Sequence, residues 1–152
     1  MIRNLVLSDL HCGHRQALLA PDTVIEEIET GDAWSPELTE TNKDLWNLYT
    51  ELIGRASEFD GEINAFILGD VFWGAKHPSG TINLSERTQV DIALKVLENL
   101  FSIPGLKRVE FLSGTSAHEY EDNSPLRTLI KELQMLYPSV QIKGAHHALV
   151  DV

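Results

Sequence analysis

The sequence predicts an α/β domain with a largely parallel sheet, and three observations predict it. Four short apolar runs each stop at a glycine or an aspartate. Three stretches of helical periodicity lie between them. The resulting order, β-α-β-α-β-α-β, is that of parallel strands joined by crossover helices. Residues 2–7 (Ile-Arg-Asn-Leu-Val-Leu) read as the first strand, running into Ser8-Asp9. Leu45, Leu48, Tyr49, Leu52, Ile53 and Ala56 then recur at the spacing of one helix face. Residues 63–68 form the second strand, stopped by Gly69-Asp70. Residues 74–84 are a loop. A second helix follows, with Ser85 as N-cap, Glu86 in its first turn, and Val90, Ala93, Leu94, Leu97, Leu100 and Phe101 on its apolar face. Residues 108–113 are the third strand, ended by Gly114. Ser124-Pro125 opens a third helix as cap and first position, followed by Leu126, Leu129, Ile130, Leu133 and Leu136. Residues 140–143 are the fourth strand. The runs are nearly continuous in apolar residues, which predicts strands buried on both faces. No repeat or linker divides residues 1–152, so a single domain is expected.

Composition narrows the function classes. Apolar residues are 43% and charged residues 23% of the chain, as in a globular protein. No apolar run approaches the roughly 20 residues that cross a bilayer. The first residues hold one arginine and a short apolar run that meets Asp9, a poor signal peptide and a good first strand. One cysteine, Cys12, allows no internal disulfide, which makes a reducing cytoplasm the default. The net charge is −11, and residues 22–62 carry −10 of it. Such a face keeps a protein soluble and repels nucleic-acid backbones.

The chemistry-bearing residues collect at strand ends, where open α/β sheets bind ligands. The first strand ends in Asp9-Leu-His11, the second in Gly69-Asp70, the third in Gly114-Thr-Ser-Ala-His118-Glu119, the fourth in Gly144-Ala-His146-His147. Carboxylates and imidazoles together suit borderline divalent ions. Each signal alone is commonplace, and their joint occurrence at four strand ends is what points to a metal site. Cys12 reads as a small packing residue, Trp34 and Trp46 as packing, and His77 as a residue of the 74–84 loop.

Ser8-Asp9-Leu10-His11-Cys12-Gly13, Ile67-Leu68-Gly69-Asp70 and Leu112-Ser-Gly114-Thr-Ser-Ala-His118-Glu119 resemble the first three signatures of the calcineurin-like metallophosphoesterases. The wording of the first and third is similar to a branch often seen in phage and prophage proteins. The resemblance implies a sandwich of mixed sheets flanked by helices, with the second sheet incomplete in this chain. It implies two divalent ions, Mn²⁺ or else Fe²⁺, Zn²⁺ or Ni²⁺. Asp9 and His11 would hold the first ion, Asp70 would bridge both, and His146 or His147 would hold the second. His118 would stabilise the transition state or protonate the leaving oxygen, and His14, Arg15 and Thr115 would meet the substrate. The activity implied is hydrolysis of a phosphomonoester, a phosphodiester or a nucleic-acid end. The alternative is a decayed or split-half member that serves as a binding or assembly module.

Three features depart from the family pattern. Trp73 stands where many relatives have a second Asp, and Thr115 or Ser116 would replace the Asn expected before His118. The closing Gly-His-X-His block has no counterpart in the 152 residues. An uncovered sheet face is therefore expected, to be met by a second copy of the chain or by a separate C-terminal half.

Overall fold

Four of the apolar runs form one parallel sheet in a computed structural model that describes residues 1–27, 30–76, 78–115, 118 and 124–145. The strands are β1 (Ile2–Ser8), β4 (Glu62–Leu68), β5 (Leu106–Leu112) and β6 (Gln141–Ala145), in the order β1-β4-β5-β6. Between β1 and β4 lie a two-residue antiparallel pair, β2 (Ile25–Glu26) and β3 (Ala33–Trp34), and α1 (Glu40–Ser57). Helix α2 (Glu86–Phe101) joins β4 to β5, and α3 (Ser124–Leu136) joins β5 to β6.

The helices begin where local chemistry caps them. Thr39 accepts from the Asn42 backbone while the Asn42 side chain accepts from the Thr39 backbone, a reciprocal capping box at the start of α1. Buried Asn42 also donates to the Ala17 carbonyl at 2.6 Å, which ties α1 to the segment following β1. Ser85 caps α2 as its sequence predicts. Helix α3 already includes Ser124, one residue before the expected start.

Burial alternates along β1, while the central strands β4 and β5 are buried on both faces at Phe66 and Glu110, so the expectation of strands buried on both faces holds in the middle of the sheet and fails at β1. Leu5, Leu7, Ile63, Ala65, Ile67, Val109, Phe111 and Ile142 join Val90, Ala93, Leu97 and Leu100 of α2 and Leu129 and Leu133 of α3 in one core. The opposite face carries Asn4, Val6, Asn64 and Leu68, with Val6 54% and Leu68 43% exposed. The physical reason is one-sided cover: the helices pack on one face, so the side chains of period two divide between core and surface. Phe66 is sheltered on that other face without joining the core.

Register brings the strand ends level. Ser8 pairs with Leu68, Leu68 with Leu112, and Leu112 with Ala145. The residues that follow these four therefore leave the sheet along one rim. Among the described residues, no helix is long and apolar enough to cross a membrane.

Candidate metal centre

Pairing continues past the strands and holds the rim together. His11 donates its backbone N–H to Asp70 at 3.0 Å, Cys12 to Val71 at 2.8 Å, and Trp73 back to Cys12 at 3.1 Å. To follow this path the chain adopts the left-handed region at Asp9 (φ 54°), His11 (φ 45°) and Asp70 (φ 42°). Among the described residues these are the non-glycine positions with positive φ. Such backbone costs about 1–3 kcal/mol per residue and concentrates where a site demands it.

The side chains these turns present converge. Ligand atoms of His11, Asp70 and His118 lie within 4.8 Å of one another, and the nearest Asp9 oxygen is 3.8 Å from His11 Nε2. Bond lengths of about 2.1 Å put ligand atoms of one ion roughly 3–4 Å apart, so about an ångström of closure suffices. Nδ1 of His11 is buried and meets no hydrogen-bond partner. The Phe72 backbone lies near enough to favour the charged ring without making a bond of good geometry to that nitrogen. Burial first, then the neighbouring His118 imidazole, holds the His11 pKa below its ordinary 6.5, so the ring is neutral near pH 7 and its lone pair is ready for a cation. His118 Nδ1 lies 3.2 Å from the Trp73 carbonyl, an acceptor only. The ring proton therefore sits on Nδ1 and the lone pair on Nε2, the arrangement common to metal-binding histidines. Two imidazoles and a carboxylate fit a borderline divalent ion, with a coordination position left open.

Asp70 is held by the strand-end glycines and by Thr115. Thr115 donates its backbone N–H to Asp70 Oδ1 at 2.7 Å and its hydroxyl to the same oxygen at 3.1 Å. The contact of that hydroxyl with Oδ2 is longer, 3.4 Å, which leaves Oδ2 as the oxygen better placed for an ion. A Cβ at Gly114 would land on the Asp70 backbone nitrogen and carboxylate, and one at Gly69 would lie 2.7 Å from the Gly114 Cα. Only glycines permit so close an approach.

An indole sits amid the imidazoles. Ring centroids of Trp73 are 5.6 Å from His11, 4.2 Å from His14 and 4.8 Å from His118. Burial first, and then His11 and His118, lower the His14 pKa also.

The residues singled out in the sequence separate into groups. Asp9, His11, Asp70, His118 and Thr115 come together at the rim, although the Asp9 side chain is 63% exposed. His14 lies against Trp73 at its edge. Arg15 is exposed and borders a separate depression with Trp34 and Leu38. His146, His147, Ser116 and His77 lie outside the described residues. Cys12 is fully buried and its thiol is pushed up to about 12 by that burial, as befits a packing residue.

Gln89 is the important residue that motif reading passes over. It is completely buried, accepts from Gly74 N–H at 3.0 Å, and donates to the Gly74 and Asn83 carbonyls at 3.2 Å. It thereby fixes the chain beyond Trp73. Its one signal in the sequence is a polar residue on the apolar side of the second helix. A scan against models of known protein families finds none that matches this chain, and no curated protein matches it.

Proposed function

We propose that this chain is a metal-dependent phosphoesterase of the calcineurin-like type, a hydrolase of phosphomonoesters or phosphodiesters. The observation that carries this reading is the coincidence of ligands and strain: among the described residues Asp9, His11 and Asp70 are the non-glycine positions with left-handed backbone, and the side chains of His11 and Asp70 converge with that of His118. A bound divalent ion supplies Lewis-acid polarisation of a phosphoryl oxygen and a water of lowered pKa. In this reading Asp9, His11 and Asp70 Oδ2 hold the ion, and Thr115 fixes the carboxylate. His118, anchored through Nδ1 to Trp73, either completes the ligand set or, when protonated, gives its proton to the leaving oxygen. A second ion would draw on Asp70 Oδ1 and on His146 or His147. The open sheet face, with Val6 and Leu68 exposed, supports a covering partner, either a second copy or a C-terminal half.

A second reading is a decayed member that binds one ion and assembles without turnover. It is favoured by Trp73 among the imidazoles and by the two Thr115 hydrogen bonds on Oδ1. Hydrolysis of a chromogenic phosphodiester with and without Mn²⁺ tests both. The enzyme reading expects Mn²⁺ stimulation that chelator and Asp70→Asn each reduce at least about a hundredfold. Metal binding without turnover selects the second reading, and hydrolysis indifferent to chelator and to Asp70→Asn refutes the first.

A further inference from the structure

A cavity of about 540 Å³ opens directly beside the candidate metal centre. Asp9, His11, His14 and Trp73 line it together with Leu45, Leu48 and Leu52 of α1. That volume is ordinary for a small-molecule site. The three leucines are not used by the core. Tyr49 and Ile53 are the buried apolar positions of α1, whereas Leu45, Leu48 and Leu52 are 37%, 64% and 38% exposed. The apolar face of this helix is thus wider than its packing needs, and the surplus turns toward the site.

We infer that this cavity binds the apolar alcohol portion of a phosphate ester, an aliphatic chain or a single ring, with its phosphate at the Asp9–His11 end. The substrate class rests on the phosphoesterase reading; the apolar site does not. Charge selects the occupant. Among the described residues lining the cavity there is no lysine or arginine, and residues 22–62, which include α1, carry −10. A nucleic-acid strand needs cations along its backbone and finds none here. An uncharged apolar group pays no electrostatic penalty on such a wall and removes exposed leucine surface from water.

Calorimetric titration tests this with n-alkyl phosphates from ethyl to octyl in the presence of Mn²⁺, and with the matching n-alcohols in its absence. Affinity is expected to rise about threefold to fourfold per methylene until the cavity is filled. Leu48→Gln lies at the most exposed of the three leucines and so spares folding; Leu45→Gln is the second variant. Each is expected to lower the octyl-to-ethyl affinity ratio at least about tenfold, since the lost wall contributes about two methylenes' worth of contact. Binding that ignores chain length, or a chain-length effect that both variants retain, overturns the inference. So does self-association of the protein that Leu48→Gln abolishes with no effect of chain length, because the occupant is then a second copy. A chain-length effect among the alcohols that the variants lose, without Mn²⁺-dependent binding of the phosphates, upholds the apolar site and refutes the phosphoesterase reading instead. Mn²⁺-dependent phosphate binding indifferent to chain length does the reverse.

Discussion

The helix-covered face of the sheet and its carboxyl rim are made by the same strands under opposite rules. On the covered face, Val109, Phe111, Leu97 and Leu129 are completely buried. At the rim, three residues in succession of function rather than of sequence hold left-handed backbone, and a buried imidazole nitrogen lacks a partner. The first region is what stabilises a fold. The second carries backbone strain, and a bound ligand would offset it. The difference teaches where stability and binding should separate under mutation.

The largest expected effect lies in the core. Leu97→Ala should cost about 2–5 kcal/mol of stability, read as a lowered urea midpoint, with Mn²⁺ affinity retained by whatever fraction stays folded. Gly114→Ala should touch both regions. Its methyl displaces Asp70, which should cost about 1–3 kcal/mol in the same assay and lower Mn²⁺ affinity at least about tenfold. A neutral result there would break the claim that the close approach to Asp70 is required. Asp9→Gly sharpens the comparison most. It removes a proposed ligand and relieves left-handed strain, so the metal-free protein should keep its stability within about 1 kcal/mol while calorimetry shows weaker Mn²⁺ binding.

The smallest effect concerns pH. His11 and His14 have lowered pKa values in the folded chain. The unfolded chain therefore takes up protons first as pH falls below the ordinary 6.5. The histidine contribution to the stability of the metal-free protein is complete above that pH and declines between it and the lowered folded values. His14→Gln should shallow this decline in thermal melts between about pH 5 and 7. An unchanged slope would show that burial and the neighbouring imidazoles do not lower the His14 pKa.

Much of this was legible in residue patterns, and the remainder was hidden for identifiable reasons. Strands such as residues 63–68 and the Ser85 cap follow from local periodicity and local hydrogen bonding, which a single chain displays directly. The paired β2 and β3 have two residues each, too short for any period to register. Leu45, Leu48 and Leu52 share the helical spacing of Tyr49 and Ile53, so only the packing of α1 beside α2, where the Tyr49 hydroxyl donates to the Val96 carbonyl, reveals which of them face outward. Asp9, His11, Asp70 and His118 were readable as a set because each sits at a strand end, and in-register pairing then aligns those ends. Trp73 and Gln89 were not readable, since their roles depend on contacts between elements distant in the chain.

Calorimetric titration of the wild-type chain with Mn²⁺, set beside His11→Ala, Asp70→Asn and His118→Ala, tests the rim most directly. Saturable binding that every one of the three variants weakens at least about tenfold is the predicted result. Binding of equal strength in all four proteins, or none in the wild type, would contradict a metal centre built from these side chains.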